Sequence, residues 1–151
     1  MKIWVDADAC PRDAKDVIYK TAIRLKVQTI LVANTSLRHP DSQWLSNEVV
    51  GRGFDVADDY IADNVAPGDL VITADIPLAA RIVDGGATGI EPRGQVFNED
   101  NVKERLATRN LLAELRDGGL TGGGPPPYRA RDKSKFASSL DYLVTKMLRE
   151  S

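Results

Sequence analysis

The chain has 151 residues, of which 42% are hydrophobic and 28% charged, and its formal net charge is −2. This length predicts one domain with a buried core, and the near-neutral charge argues against a protein that coats nucleic acid through bulk charge. No apolar stretch approaches the roughly 18 residues of a membrane helix, and Met1-Lys2 leads into a strand-like run with no signal-peptide pattern. Cys10 is the only cysteine, which excludes an intrachain disulfide and a multi-cysteine metal site. We therefore expect a cytoplasmic protein that does not enter a membrane.

Strand-like and helix-like segments alternate through the first two thirds of the chain. Short apolar runs predict strands at residues 2–6, 27–33, 70–73 and 88–91. Apolar residues at helical spacing predict helices at residues 11–25, 56–65 and 77–83. Residues 34–43 form a predicted loop, and residues 44–50 are ambiguous but compatible with a further short strand. This alternation is typical of a three-layer α/β/α fold with a central, mostly parallel sheet, here of about four or five strands.

The last third of the chain is predicted to be helical. Asn98 is a suitable N-cap for a helix over residues 99–117, which Gly118-Gly119 ends. A Gly/Pro-rich loop follows at residues 118–131, and a last helix at about 133–149 carries an apolar stripe. Because no repeat or linker interrupts the chain, we expect a single domain over residues 1–151. The region from about residue 98 onward should pack on the α/β part.

Two of the apolar runs end in aspartate, at Asp6 and at Asp75. The carboxyl ends of parallel strands meet at one edge of a sheet, which is where open α/β sheets bind ligands. Asp8 follows Asp6 by two residues and faces the same way if the strand continues, although a helix-capping role explains it nearly as well. Clustered carboxylates repel one another unless they share a proton or a cation, and Mg²⁺ or Mn²⁺ prefers such oxygen ligands. The pattern therefore predicts a divalent-metal site.

The remaining aspartates of this region differ in what they indicate. Asp69 begins the strand that Asp75 ends, which puts the two about 20 Å apart, so Asp69 is interpreted as a turn residue. Asp58, Asp59 and Asp63 lie around one predicted helix, and each is a candidate third ligand. Sequence spacing alone does not choose among these three.

Basic residues are concentrated toward the C-terminus. Residues 1–100 hold 10 Lys+Arg against 16 Asp+Glu, whereas residues 101–151 hold 10 against 6. An acidic centre beside a basic region suits a metal-dependent enzyme with a polyanionic substrate, and solvated helix faces explain the same charges equally well. Tyr128 accompanies part of the basic cluster, as in phosphate-binding edges. The candidates for phosphate contacts are Arg93, Arg105, Arg109, Arg116, Arg129, Arg131, Lys133 and Lys135.

Two further motifs give less support to an activity. Cys10 precedes a predicted helix, where a thiol pKa can be lowered, but the sole histidine, His39, lies in a polar loop, so a Cys–His pair is the disfavoured interpretation. The Gly122-Gly123-Gly124 run lacks the Lys-Ser/Thr of a phosphate-binding loop. We interpret that run as part of an ordered or gating loop.

The chain resembles the uncharacterised YaiI/YqxD family of small bacterial proteins. The residues that carry the resemblance are Val5-Asp6-Ala7-Asp8-Ala9-Cys10-Pro11, residues 68–80 (GDLVITADIPLAA), Pro92-Arg93-Gly94, Asn101, Arg109, and the Gly-Gly-Gly-Pro segment followed by Asp132 and Phe136. The family is in turn similar to PIN-like domains, which are metal-dependent nucleases. The match runs nearly end to end.

The wider resemblance implies a role for individual aspartates. Asp6 takes the place of the first-strand acid, Thr73-Ala74-Asp75 that of a later Thr/Ser-x-Asp, and Asp58, rather than Asp59, that of the shared acid in between. PIN domains often carry another acid soon after Thr-x-Asp, whereas here the next acid is Asp84, about two helical turns on. Asp8 is then the substitute for the fourth ligand.

Three hypotheses for function follow from these observations. The first is a Mg²⁺- or Mn²⁺-dependent nuclease that acts on RNA, or less expectedly on DNA. Its predicted catalytic residues are Asp6 and Asp75, its metal ligands Asp6, Asp8, Asp58 and Asp75, and its substrate-binding residues Thr73, Arg93, Arg109 and Lys133. The second is a phosphatase similar to the haloacid dehalogenases, with Asp6 as nucleophile and Asp8 as acid/base, although the lysine motif and late acid pair of that family are missing. The third is a non-catalytic module that binds nucleic acid or protein through the basic C-terminal third.

Overall fold

The structure is a computed structural model that describes residues 1–119 and 126–151. Its strands are β1 (Ile3–Asp6), β2 (Thr29–Ala33), β3 (Leu45–Val49), β4 (Leu70–Ile72), β5 (Thr88–Ile90) and β6 (Val96–Phe97). Its helices are α1 (Arg12–Leu25), α2 (Val56–Asn64), α3 (Ile76–Asp84), α4 (Glu99–Asp117) and α5 (Ala130–Glu150).

The six strands form one sheet in the order β3-β2-β1-β4-β5-β6. All neighbours pair in parallel except β6, which runs antiparallel to β5. The chain moves outward from β1 to β3 and then returns to place β4 on the other side of β1. The carboxyl edge between β1 and β4 is therefore the topological switch point, where sheets of this kind leave a crevice for ligands.

Helices cover both faces of the sheet, which gives the predicted three-layer α/β/α fold. Side chains alternate along β1, so that Ile3 and Val5 contact one layer and Trp4 contacts the other. The first layer consists of α1 and α5, which pack against each other, and the second of α2, α3 and α4. The buried residues that α5 contributes to the first core are Phe136, Leu140 and Val144.

Helix starts follow the local signals in the sequence. Asn98 caps α4 as predicted, because its side-chain oxygen accepts a hydrogen bond from the Asn101 backbone amide, and the Asn101 side-chain oxygen accepts one from the Asn98 backbone amide. Asp75 caps α3, whose second residue is Pro77. The second half of α4 leaves the body of the protein, and its Leu111, Leu112 and Leu115 are exposed.

Three features of the structure differ from the sequence prediction. The ambiguous residues 44–50 contain β3, which pairs with β2 along its whole length, and β6 was not predicted, so the sheet has six strands rather than four or five. Helix α5 begins at Ala130 rather than at residue 133, because Asp132 accepts a hydrogen bond from the Arg129 amide at 2.9 Å and stabilises an earlier first turn. The predicted loop over residues 118–131 therefore ends sooner, and its glycine run at residues 122–124 lies outside the described residues.

Candidate functional site at the carboxyl edge of the sheet

Thr73 joins the two strand-end aspartates across the switch point. This threonine is 1% exposed and follows β4 directly. Its hydroxyl donates a hydrogen bond to Asp6 Oδ2 at 2.9 Å and accepts one from the Asp75 amide at 3.0 Å. The buried hydroxyl thus fixes the direction of the Asp6 carboxylate and the path of the chain into Asp75.

Asp75 stands at the N-terminus of α3, where its Oδ1 atom accepts a hydrogen bond from the Leu78 amide at 2.9 Å. This bond locks the side chain in place and uses one of its two oxygens. The helix N-terminus also carries partial positive charge, which favours a carboxylate there.

Asp58 reaches the same place from α2 on the second helical layer. The helix is anchored by Ile61, which is fully buried, and by Tyr60, whose ring lies 6.3 Å from the Trp4 ring. Because Asp58 precedes Ile61 by three residues, both lie on the inner face of α2. Asp59 lies on the outer face and forms an ion pair with Arg81 at 2.8 Å. The structure therefore brings Asp58, and not Asp59, to the strand ends.

The carboxylates influence one another's protonation. Burial, followed by the charge of Asp75 and a hydrogen bond with it, raises the pKa of Asp58 to about 7, and the charge of Asp6 adds to this. Burial also raises the pKa of Asp6, against the lowering effect of the Thr73 hydrogen bond, and the charges of Asp75 and Asp8 raise it further. Burial and the neighbouring carboxylates therefore favour the protonated form of Asp58 relative to an ordinary aspartate.

Asp8 lies on the solvent side of this cluster. It is exposed, and its Oδ2 atom accepts a hydrogen bond from the Asn34 amide at 2.9 Å, which ties the loop after β1 to the loop after β2. The capping alternative is not observed, because Pro11 occupies the N-cap of α1 and no side chain caps that helix.

Among residues 1–119 and 126–151, no group of three or more His, Cys, Asp or Glu side chains is close enough to hold a metal ion as it stands. The donor chemistry nevertheless fits Mg²⁺ or Mn²⁺, since the cluster consists of carboxylates alone. None of the four ion pairs in the described part of the chain reaches Asp6, Asp8, Asp58 or Asp75. Their negative charge therefore has no cationic side chain bonded to it, and a cation would require the carboxylates to draw closer together.

Arg93 and Arg105 are held in structural contacts. Arg93 pairs with Asp132 at 2.9 Å and lies over the Tyr128 ring, so it joins the turn after β5 to the start of α5. Arg105 pairs with Glu91 at 3.0 Å. Any substrate contact by either arginine would compete with these partners.

Within residues 1–119 and 126–151, the only side-chain hydrogen bond of Arg109 runs to the neighbouring Asn110 at 3.2 Å. It lines a cleft of about 470 Å³ together with Arg105 and Arg116 of the same helix. Ile76, the residue after Asp75, forms part of the opposite wall. The cleft thus begins beside the acidic cluster and carries three guanidinium groups along one side.

Lys133 lies in the first turn of α5, which Asp132 and Arg93 hold against the turn that follows β5. It is therefore at the carboxyl edge of the sheet, on the side of the first helical layer. The predicted substrate contacts of Arg93, Arg109 and Lys133 stay predictions.

The structure confirms that Asp69 is a turn residue. It is 6% exposed and accepts hydrogen bonds from the Lys2 amide, the Trp4 indole and the Ala66 amide, at 2.9 to 3.0 Å. These bonds join the turn before β4 to the start of β1, at the sheet edge opposite to Asp75.

The Cys–His pair is not formed. Burial raises the pKa of Cys10 to about 12, so the thiol is protonated, and His39 Nδ1 lies 2.8 Å from the carbonyl oxygen of Pro40. Cys10 therefore behaves as a small core residue.

Sequence reasoning missed one residue at this edge, Phe54, whose side chain is 94% exposed in the loop between β3 and α2. The available signal was an aromatic residue directly after Gly53 and four positions before a candidate ligand.

Relatives of this chain extend over nearly its whole length. The family model described as "Uncharacterized BCR, YaiI/YqxD family" matches residues 4–146. A UPF0178 protein of Geobacter metallireducens is 55% identical over 150 residues, which cover 99% of this chain and 97% of the relative. A UPF0178 protein of Myxococcus xanthus is 50% identical over 149 residues, with 99% and 97% covered.

No solved structure matches the chain. None of the helices in the described residues is long and apolar enough to cross a membrane. The family model covers most of the chain and both relatives are at least 50% identical to it, so the chain belongs to the bacterial YaiI/YqxD family.

Proposed function

We propose that this protein is a divalent-metal-dependent nuclease that hydrolyses phosphodiester bonds in RNA, or with less preference in DNA. The observation that carries the proposal is the convergence of Asp6, Asp58 and Asp75 from three separate elements at the switch point of the sheet. Burial, followed by the charges of the neighbouring acids, raises the pKa of Asp58 to about 7, and among the described residues no Lys or Arg side chain is bonded to the three aspartates. The same three positions are those that the resemblance to PIN-like domains implies.

The residues that would hold Mg²⁺ or Mn²⁺ are Asp6, Asp58 and Asp75, with Asp8 at the open side. A divalent ion bound there lowers the pKa of a water molecule and stabilises charge on the phosphate. Thr73 keeps the Asp6 carboxylate directed into the site, and the hydrogen bond from Leu78 does the same for Asp75. Asp58 must release its proton before it binds the ion, so binding is expected to strengthen as the pH rises through about 7.

The basic cleft along α4 supports a polyanionic substrate. Arg109 and Arg116 lie on the cleft that begins beside Asp75, and such groups position a phosphate backbone without reading sequence. Lys133 adds positive charge on the other side of the edge. A cytoplasmic location belongs to the same proposal, because RNA is the preferred substrate and Cys10 is a free thiol.

A second candidate is a module that binds nucleic acid without cleaving it. The observation in its favour is that no three acidic side chains among the described residues are already close enough to hold a metal ion. In that case the basic cleft would bind the backbone, and the aspartates would only brace the loops around it. The phosphatase hypothesis has less support, because Asp6 Oδ2 already accepts a hydrogen bond from Thr73 and burial raises the pKa of this proposed nucleophile.

The test is cleavage of mixed single-stranded RNA and DNA with and without Mg²⁺ or Mn²⁺, in wild type, Asp75→Asn and Asp59→Asn. Asparagine keeps a side-chain oxygen for the Leu78 amide and so preserves the cap of α3. Asp59→Asn is the matched control, since it removes an acid from the outer face of α2. Metal-dependent cleavage lost only in Asp75→Asn supports the nuclease, and full activity in that variant contradicts it.

A further inference from the structure

Phe54 is the most exposed of the large hydrophobic side chains in the described residues, at 94%. The backbone on both sides of it has positive φ angles, 146° at Gly53 and 64° at Asp55. A non-glycine residue with positive φ is uncommon, and no side-chain hydrogen bond caps α2 at Asp55 to compensate. The loop therefore holds an apolar ring in water by a defined backbone turn rather than by chance exposure in a long segment.

The loop that carries Phe54 lies at the edge of the sheet where the acidic cluster is located. It follows the carboxyl end of β3, which runs parallel to β1 and β4, and it leads directly into α2. Asp58 is four residues further on, in the first turn of that helix. Arg52, also exposed, adds a positive charge to the same loop.

We propose that Phe54 is a stacking platform for a base of a single-stranded nucleic acid whose phosphate backbone passes over Asp6, Asp58 and Asp75. This inference rests on the proposed function and assigns its substrate class. Every base offers an aromatic face, so stacking on a ring binds single strands with little regard to sequence, and a nearby arginine assists through the backbone. A duplex conceals those faces between its stacked pairs, so the platform selects single strands or unpaired ends.

The sheet order gives the strand a path across the site. The Phe54 loop follows β3 at one side of the sheet, the aspartates follow β1 and β4 in the middle, and the cleft with Arg109 lies toward β5 and β6. Adjacent strands are about 4.8 Å apart, so the platform and the cleft flank the acids within the reach of a few nucleotides. A base held at Phe54 and phosphates held at Arg109 would fix the intervening phosphodiester over the cluster.

The experiment measures binding of a fluorescein-labelled single-stranded RNA of about 12 nucleotides to the full chain carrying Asp75→Asn. Adding Phe54→Ala to this protein is expected to weaken binding by roughly 5- to 100-fold. Adding Phe54→Trp instead is expected to leave the affinity unchanged, because tryptophan also stacks on bases. The matched control is Tyr142→Ala, which removes another exposed aromatic ring, 70% exposed, from α5. Because both rings are solvent-exposed, neither substitution should alter the melting temperature.

Two further ligands sharpen the result. Blunt duplex RNA should bind to the Phe54→Ala protein and to its parent with equal affinity. A single strand with abasic positions lacks bases to stack, so it too should bind to both proteins with equal affinity. Binding of the intact single strand that is unchanged within about twofold in Phe54→Ala, or weakened equally by Tyr142→Ala, would overturn the proposal. Undetectable binding of any single strand by the parent would overturn it as well.

This outcome is separable from that of the nuclease proposal. If wild type cleaves RNA and Phe54→Ala leaves binding and cleavage unchanged, the nuclease stands and the platform is wrong. If single-strand binding depends on Phe54 but wild type with Mg²⁺ or Mn²⁺ cleaves nothing, the platform stands and the hydrolytic function is wrong.

Discussion

Asp69 and Asp75 stand at opposite ends of one short strand and have opposite surroundings. Asp69 receives three hydrogen bonds from N–H groups and is almost completely buried. Asp75 receives one from the helix that it caps and otherwise faces Asp58 and Asp6. The same residue type therefore stabilises the fold where N–H donors surround it, and forms a cluster of candidate ligands where other carboxylates surround it.

The neighbouring pair on α2 shows the same contrast. Asp59 pairs with Arg81 at the surface, whereas Asp58 faces acids and has its pKa raised to about 7. The two residues are adjacent on the helix, but Asp59 has an arginine partner and Asp58 has none among the described residues. The partners of an aspartate, rather than its position after an apolar run, thus distinguish the structural acids from the candidate ligands.

The largest expected effect is on stability, in Asp69→Ala. The substitution leaves the Lys2 amide, the Trp4 indole and the Ala66 amide without their acceptor, and each unsatisfied buried donor costs roughly 1–3 kcal/mol. We expect the free energy of unfolding to fall by about 3 kcal/mol or more in denaturant titrations. Cleavage per folded molecule should stay at the wild-type level. A variant as stable as wild type would contradict the structural role.

The next effect is on activity, in Asp75→Asn. Metal-dependent cleavage is expected to fall by at least about 100-fold, which corresponds to roughly 2.7 kcal/mol, because a candidate ligand loses its charge. The free energy of unfolding should change by less than about 1 kcal/mol, since asparagine caps helices as well as aspartate does. Initial rates and denaturant titrations on one preparation measure both. If the cleavage rate and the free energy of unfolding fell by equal amounts of free energy, Asp75 would have a structural role like that of Asp69.

A smaller contrast is expected between Arg109→Ala and Arg105→Ala on α4. In the described part of the chain Arg109 bonds only to Asn110, so its removal should weaken RNA binding and lower the salt slope by about 1, with stability unchanged. Arg105 bonds to Glu91 and Gln95, so its removal should cost about 1 kcal/mol of stability. Binding isotherms over a range of salt concentrations, with thermal melts, separate the two. An unchanged salt slope in Arg109→Ala would exclude it as a backbone contact.

The last prediction concerns the dependence of stability on pH. Burial and the neighbouring acids raise the pKa of Asp58 in the folded state to about 7 from the ordinary 3.8, so between these values the folded state holds a proton that the unfolded state has lost. The free energy of unfolding should therefore fall as the pH rises from about 4 to about 7, and then level off. Asp58→Asn should flatten this slope in metal-free buffer, whereas Asp59→Asn should not. Unfolding titrations at several pH values measure the slopes, and identical slopes in all three proteins would contradict the coupling of Asp58.

Local signals predicted much of this fold. Asn98 caps α4 as its type suggests, and the apolar runs at β1 and β4 became parallel strands of one sheet, as β-α alternation predicts. Strand β6 was missed because two residues are too few to show a period, and the turn before it depends on Gly94 at φ 99°. A pattern in sequence does not reveal a strand that exists through pairing with β5 alone.

The site was predictable to a similar degree. Asp6 and Asp75 follow from the strand ends, whereas the choice of Asp58 came from the family resemblance, although its spacing from Ile61 would have placed it on the inner face. The partner of Arg93 could not be foreseen, because Asp132 is 39 residues away in the sequence. The exposure of Phe54 likewise depends on a loop conformation that composition does not encode.

Helix α5 has a consequence for the synthesis of the chain. It covers the sheet face that α1 shares, and its Phe136, Leu140 and Val144 complete a core begun by the first strand. A ribosome that adds about 5–20 residues per second exposes that half-covered face for several seconds after β5 has emerged. A nascent chain that stalls before residue 130 is therefore expected to be a chaperone client rather than a folded protein. Because the last helix completes the first core, cellular quality control would then recognise the truncated chains that result when translation stops early.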